Sequence, residues 1–449
     1  MPCLVSVIIP VHNFAATLRQ CLEHLRRSMM TDYECIVVDD GSTDGSAAVA
    51  EEFGVTLVRT EKRSGPASAR NLGASEAQGK ILFFIDADVC VYPGTLDRVA
   101  ANFNQDCELT AVIGCYDDKP DSQDFLSMYR NLMHCYVHRE SRRAASTFWS
   151  GCGAILRSVF LEYSGFDQTY KRPAVEDIEL GYRLSRDHRK LLLDPSIQVK
   201  HLKRWSFFSL VKTDIVDRGI PWTELILRDR FMPNDLNVQL SQRVSVAIVF
   251  ILVAATAVTA WFAGSSFILM LLCLLFLVLG QFEVEGTWRL QPKLIIATTM
   301  LIVSIVALAL YNNRKLLIPP VLLAYALLFL RHRYSLTQRR KEITGMVCGA
   351  SLLFVILFVV VYLPHHILVF AFFLLLGAAV LLNSQFYVFL AGRMGRLLAL
   401  AAIPFHLLFH FYNGISFLIG GGRYLFRSIF LPAAKREPVS TLGRSRTDD

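Results

Sequence analysis

The amino-acid sequence predicts two architectures in series: a mostly parallel α/β sheet over the first half of the chain, then an all-α membrane domain. Three observations carry this. Strand-like and helix-like segments alternate from residue 4 to about residue 205, which is the pattern of a sheet with helices on both faces. From Val244 onward the chain is mostly apolar runs separated by short polar punctuation, and ~20 apolar residues suffice to cross a bilayer as a helix. Charge divides at the same point: residues 244–449 hold 17 Lys and Arg against 6 Asp and Glu, and the first 243 residues hold 29 against 32.

The basic surplus behind the net charge of +8 therefore belongs to the loops between apolar runs, where Lys and Arg mark the cytoplasmic side. No basic stripe interleaved with aromatics occurs in the first half, so nucleic acid is not an expected partner. Ten cysteines are scattered without Cys-x-x-Cys spacing. That argues against a structural zinc site or a disulfide framework and fits reduced cytoplasmic thiols. The apolar start "LVSVIIPV" is short and lacks a charged flank, so it reads as a first strand and not as a signal peptide.

Taken in order, "LVSVIIPV" (4–11) is a strand and residues 15–29 an amphipathic helix. "YECIVVDD" (33–40) is a second strand, and 42–54 a helix that Ser42 would cap and Gly54 would end. "VTLVRT" (55–60), a helix over 65–79 and "KILFFIDAD" (80–88) follow. Polar residues collect where strands stop: Pro10, His12 and Asn13 after the first, Asp39 and Asp40 after the second, Asp86 and Asp88 after the fourth. Sheets of this kind bind ligands at the carboxyl ends of their strands. Asp86 and Asp88 also pose a problem, because adjacent like charges raise each other's pKa unless something positive lies between them.

The ordered set "VSVIIPVHN", "VVDDGSTD", "GPASARNLG", "DAD", "GCGAILR", "VEDIELGYRL" and "HLKRW" resembles family-2 glycosyltransferases of the GT-A (Rossmann-like) fold, and more narrowly bacterial membrane-anchored members. The resemblance covers residues 4 to about 243. It implies that Asp88 binds a divalent metal, Mg²⁺ or Mn²⁺, with His201 as a second ligand. Asp86 would contact ribose and Asp39 the base of a nucleotide-sugar donor, uracil in many relatives. Asp40 is grouped with them at the nucleotide site. Pro10 and Asn13 would form the floor beneath the nucleotide, with Arg70 supporting it. Gly151 and Gly153 would let backbone approach the donor sugar. Lys203 and Arg204 would neutralise the departing diphosphate, and Trp205 would line the site.

A hard cation on carboxylate oxygen stabilises charge growing on a leaving phosphate. A placed base taking the acceptor proton adds roughly 10²–10⁴-fold. Asp177 is the expected base and Glu176 its support. The competing account makes Glu176, Asp177 and Glu179 first-turn carboxylates favoured by the helix dipole. The His-x-x-Arg-Trp spacing is also similar to the Gln-x-x-Arg-Trp of processive polysaccharide synthases, from which His201 departs. Transfer to a polyprenyl phosphate is the other alternative.

"SFFSLVKTDIVDRGIPWTELILRDRFM" (206–232) mixes apolar and charged residues as amphipathic interfacial helices do, with a break expected near Gly219–Pro221. Expected spans lie at 244–263, 266–281, 294–311, 316–330, 343–363, 366–382 and 397–421. The basic loop 331–342 is the strongest cytoplasmic signal. Seven spans would put the basic tail outside, so the count stays at six or seven, and re-entry of the last segment, with Pro404, His406 and His410, would reconcile the two. His406 and His410, four apart, share a helix face. The expected organisation is thus a cytoplasmic GT-A domain (1–205), interfacial helices (206–243), a transmembrane domain (244–426) and a basic tail (427–449). It would sit in the inner (plasma) membrane as a multi-pass protein whose acceptor is a lipid or lipid-linked glycan.

Overall fold

A computed structural model describes residues 4–282 and 366–430. Strands β1 (Val5–Val11), β2 (Tyr33–Asp39), β3 (Thr56–Arg59), β4 (Ile81–Ile85), β5 (Val89–Val91), β6 (Leu109–Tyr116), β7 (Cys152–Leu156) and β8 (Lys190–His201) form an eight-stranded sheet. Their order is β3-β2-β1-β4-β7-β6-β8-β5. β1 to β4, β6 and β8 point the same way, while β7 and β5 run antiparallel to their neighbours.

Side chains alternate across a strand, and here both faces are buried. Val5, Val7 and Ile9 pack with Leu18, Leu22, Val49, Leu96 and Val99, from α1 (Ala15–Leu25), α2 (Ser46–Phe53) and α4 (Thr95–Gln105). Ile8, Ile36 and Val38 pack on the other face with Ala69, Ala74, Phe160, Leu180 and Leu184. Those belong to α3 (Pro66–Glu76), α6 (Arg157–Glu162) and α7 (Glu176–Arg186). α5 (Phe125–Glu140) lies between β6 and β7 in sequence. Gly54 ends α2 with φ 66, as its sequence position predicts. Ser42 does not cap that helix: the cap is Gly45, and the Ser42 hydroxyl accepts the Asn13 N–H instead.

The expected break at Gly219–Pro221 is a widening. α8 (Phe207–Lys212) runs into a π-helical turn (Thr213–Gly219) and on into α9 (Ile220–Asp229) with helical dihedrals throughout. A proline lacks the N–H and collides with the carbonyl four residues back. The wider π winding before Pro221 relieves that conflict without ending the helix.

The described residues fall into two compact units, one reaching to Arg243 and resuming at Tyr412, the other Val244–Phe411. The apolar helices are α10 (Leu240–Phe282), α11 (His366–Leu382), α12 (Ser384–Met394) and α13 (Arg396–Phe430). Leu240–Phe262 and Arg396–Phe430 are long and apolar enough to cross a membrane, and α11 with α12, bent by 64°, makes a possible third. The expected spans 244–263 and 266–281 lie within the single helix α10, because the intervening Gly264 and Ser265 do not interrupt it. Likewise 397–421 is one helix that continues through Pro404, with no re-entrant turn. The expected spans 294–311, 316–330 and 343–363, the basic loop 331–342 and the tail beyond Phe430 lie outside the described residues.

Inside the second unit, Asn383 donates to Ser245 and to the Ala379 carbonyl at the bend. The rings of His406 and His410 meet with centroids 4.4 Å apart, tilted by 43°. Inside the first unit, the carboxyl-terminal part of α13 meets α9 through small residues: a Cβ on Gly219 or Gly420 would lie 2.6 Å from Ser416 or 2.7 Å from Thr223. Glu224 pairs there with Arg423 and Arg427.

Candidate active site

The site is the edge where the parallel strands end. β1, β2, β4, β6 and β8 reach it with their carboxyl ends, and the antiparallel β7 with its amino end, since Ile85 pairs Cys152. The amino end of β5 reaches it too, where Val89 pairs His201. That pairing brings Asp88 beside His201, 113 positions apart in the sequence.

The two aspartates of "DAD" turn to different positive partners. Asp86 accepts from Arg70 Nη2 at 2.7 Å, and Arg70 Nη1 donates to Glu176 at 3.0 Å. The buried guanidinium thus joins the ends of β4, α3 and α7. Burial, with the Asp177 charge next to it, pushes the Glu176 carboxyl up, and Arg70 opposes the rise. Asp88 faces His201, with Oδ2 and Nε2 3.6 Å apart. Burial alone would raise the Asp88 carboxyl, but His201 and then Lys203 hold it below the usual range.

His201 is held from two sides. Its Nδ1 donates to Asn131 Oδ1 of α5 at 2.6 Å, and its ring stacks on Tyr116 at 4.2 Å and 8°. With Nδ1 donating to an amide oxygen, Nε2 is the nitrogen presented to Asp88. A carboxylate oxygen and an imidazole nitrogen so placed are a donor pair for a divalent cation, and the second hydrogen bond orients the ligand. Among the described residues no cluster of three or more His, Cys, Asp or Glu suited to a metal occurs. The pair therefore fits an ion whose other positions are filled from outside the protein, as Mg²⁺ sites commonly are by water and phosphate oxygen.

Asp177 stands at the start of α7. Its Oδ2 accepts both the N–H and the hydroxyl of Ser150 at 2.9 Å, and its Oδ1 accepts the Ile178 N–H. Ser150 immediately precedes the turn into β7, so the carboxylate is fixed at the edge while staying partly exposed. Glu179 follows the competing account: it pairs with Arg183 and Arg228.

On the other flank, Asp39 is buried and accepts the Ser42 N–H at 2.9 Å. Asn13, at φ 61, ties the loop after β1, whose strand Pro10 nearly closes, to that after β2 by accepting the Thr43 and Asp44 N–H groups. Several expected ligand groups have other work. Asp40 accepts from Thr60, from the N–H and hydroxyl of Ser64 and from the Gly65 N–H, so its oxygens bind the loop before α3. Burial pushes its carboxyl up, but these donors bring it below the usual range. A Cβ on Gly153 would lie 2.3 Å from the Trp149 carbonyl, and one on Gly151 2.8 Å from the Trp149 ring. Those glycines make room for their own neighbour Trp149.

Trp205 is buried, its N–H bonded to Ser127. Lys203 Nζ lies 4.2 Å from the centre of the Trp205 ring, and burial lowers the Lys203 ammonium. Arg204 is 80% exposed, with Asp124 at 3.8 Å.

Sequence reasoning missed Tyr116, Ser150 and Asn131. The last had a readable signal: α5 buries Ser127, Arg130, Asn131 and His138 together, an unusual polar load for a helix interior face.

The fold and the position of these groups define a doubly wound α/β domain of the GT-A-like class. Residues 6–164 match the family model Glycosyl transferase family 2, and this amino-terminal domain belongs to that glycosyltransferase family. The glycosyltransferase GlyG of Streptococcus pneumoniae is 30% identical over 131 residues, 28% of this chain and 43% of that protein. Validoxylamine A glucosyltransferase of Streptomyces hygroscopicus subsp. jinggangensis is 29% identical over 215 residues, covering 40% and 51%. The chain thus spans about half or less of the length of these relatives. Among solved structures, the mannosyltransferase PcManGT from Pyrobaculum calidifontis, in complex with GDP-Man and Mn²⁺, aligns with a TM-score of 0.44 at 16% identity, covering 79% of this chain and 88% of that one. S. aureus TarS 1–349 aligns with a TM-score of 0.38 at 18% identity, covering 50% and 65%.

Proposed function

We propose that the protein transfers a sugar, with inversion, from a nucleotide-sugar to a hydroxyl of a membrane-associated lipid or lipid-linked glycan, in a reaction that needs Mg²⁺ or Mn²⁺. The observation that carries this reading is the convergence at one sheet edge of the Asp88–His201 pair, the Arg70-bridged Asp86 and the Ser150-held Asp177.

Asp88 and His201 would hold the cation. When bound, it neutralises charge on the leaving diphosphate. The chain's own groups supply the rest. Asp39 and Asn13 bound the nucleotide side of the crevice, and Asp86, oriented by Arg70, offers its remaining oxygen to a ribose hydroxyl. Lys203 adds a cation for the phosphates. Asp177 takes the acceptor proton as the acceptor oxygen attacks the anomeric carbon from the face opposite the leaving group. Glu176 is buried and committed to Arg70 and to the Ala174 N–H, which leaves one carboxylate free to act and so one displacement with inversion.

Support for a membrane acceptor comes from the first unit itself. Buried Arg130 of α5 donates to Asp214 of the π-helical turn at 2.6 Å, and Asp214 also accepts from Tyr412 of α13. The catalytic sheet is thus tied to a helix that exposes Phe417, Leu418, Phe426 and Phe430, while α8 exposes Phe208. Unpaired apolar surface of this size suits lipid. A cytoplasmic catalytic side in an inner membrane follows from the basic loops.

The deciding experiment incubates the protein in phosphatidylcholine nanodiscs with a panel of nucleotide-sugars and Mn²⁺, with and without lipid extract. Extract-dependent release of nucleoside diphosphate is expected. Absence of release from every donor, with extract present, would refute the reading.

A further inference from the structure

Arg218 closes the π-helical turn, is half-buried, and has no hydrogen bond or ion pair among the described residues. Its neighbours on the turn are committed: Asp214 to Arg130 and Tyr412, and Gly219 to close approach with Ser416. Arg218 follows Asp214 by about one turn, so it lies on the side of the segment that faces α5. Along α5, His134 and His138 continue the stripe that begins at Arg130.

Those imidazoles belong to an aromatic wall that runs to the candidate metal site. His134 and His138 stack at 4.2 Å, Tyr116 stacks on His201 at 4.2 Å and meets His134 tilted by 36° at 4.4 Å, and Trp149 packs against Tyr116, His134 and His138. The Arg218 charge acts on Tyr116, His134, His138 and Lys203, which agrees with a guanidinium placed along this wall. Burial keeps both imidazoles neutral, with His138 lowered to about 4, so neither adds a positive charge that would repel an anion. Lys203 rests on the Trp205 ring, and Asp88 is the carboxylate its charge acts on. Arg218, by contrast, has no ion-pair partner among the described residues. A half-buried guanidinium without one is costly, and its planar fork suits phosphate.

We propose that Arg218 binds a phosphate group in the crevice, carried there by the nucleotide donor or by a lipid phosphate. This deepens the nucleotide-sugar reading and rests on it. The residue sits on the segment that joins the catalytic sheet to the apolar helix, so docking at the membrane and phosphate capture share one element.

The test is calorimetric binding to protein in phosphatidylcholine nanodiscs with Mn²⁺. The ligands are UDP, GDP, ADP, CDP and dTDP, the matching nucleosides, and dodecyl phosphate. Arg218→Gln should weaken a phosphate-bearing ligand about tenfold or more, the scale of one charge-assisted hydrogen bond. The nucleoside should bind as in wild type, and Arg218→Lys should recover part of the loss. A loss confined to the diphosphate assigns the phosphate to the donor, and one confined to dodecyl phosphate assigns it to the acceptor. Unchanged binding of all of them by Arg218→Gln, with unaltered thermal unfolding, overturns the proposal alone. Wild-type protein that binds no nucleoside diphosphate would instead overturn the nucleotide-sugar reading.

Discussion

Replacing Arg70 with methionine removes a fork that holds two carboxylates while keeping most of the side-chain volume. Breaking a buried ion pair from one side generally costs about 3–5 kcal/mol, because a charge is left without compensation. Two features reduce that figure here. The Asp86 side chain is 37% exposed, so water screens much of its loss. The Glu176 carboxyl is already raised by burial, so it escapes the uncompensated state by taking a proton. A net loss of about 2–3 kcal/mol remains, or a fall in unfolding temperature of roughly 5–10 °C for a domain of this size.

Arg70→Lys should recover little, since a point charge cannot span both partners. The double variant Arg70→Met with Glu176→Leu should be more stable than Arg70→Met alone, because an apolar pair can replace a buried ion pair at small cost. Thermal unfolding of the four proteins followed by circular dichroism checks this. A bridging role for Arg70 is refuted if Arg70→Met unfolds within 2 °C of wild type (roughly the noise of one surface substitution), or if the double variant loses as much as the two single changes added together.

Asp88→Ala and His201→Ala should each abolish the Mn²⁺ dependence of nucleoside diphosphate binding, read by calorimetry with and without chelator; retention of that dependence in both would remove the metal assignment. Asp177→Asn should slow transfer to a hydroxyl acceptor by at least ~10²-fold while nucleotide affinity stays constant, whereas near-normal turnover would point to an acceptor that is already ionised, such as a polyprenyl phosphate. Asp40→Asn should cost about 1–3 kcal/mol at pH 7, because four donors lose a charged acceptor. The folded Asp40 carboxyl lies below its unfolded value, so its contribution is complete above about pH 4 and is lost as pH falls through the folded value. Denaturant titrations from pH 7 to pH 2.5 should therefore show a weaker acid dependence in the variant, and identical slopes would contradict the hydrogen-bond account.

Much of the sheet was legible because its signals are local. The short apolar runs "LVSVIIPV" and "ILFFI", bounded by polar residues, and a glycine where α2 stops depend on nothing distant. Strand direction was not legible: β7 and β5 carry the same apolar run whether parallel or antiparallel. Asp88 and His201 were each marked by position in a motif, but the reach of Asn131 and Tyr116 to His201 spans tens of residues and leaves no spacing to read. The glycines of "GCG" show that one motif can serve two ends. Their motif pointed to a ligand, whereas the space they free is taken by Trp149. Asp40 misled for a related reason, since an acidic residue at a strand end looks the same whether it awaits a ligand or holds a loop.

By itself the sequence determined the first four strands with the helices between them, which edge of the sheet is polar, and where the first apolar helix begins, because each follows from side-chain pattern and composition over a few residues. Only the tertiary structure decided which carboxylate meets which cation. Arg70 could have neutralised either aspartate of "DAD"; the pairing of β5 with β8 turns Asp88 toward His201 and leaves Asp86 to the arginine. Such choices depend on distances between residues about 15 to 110 positions apart, and those are set by the packing of the whole sheet.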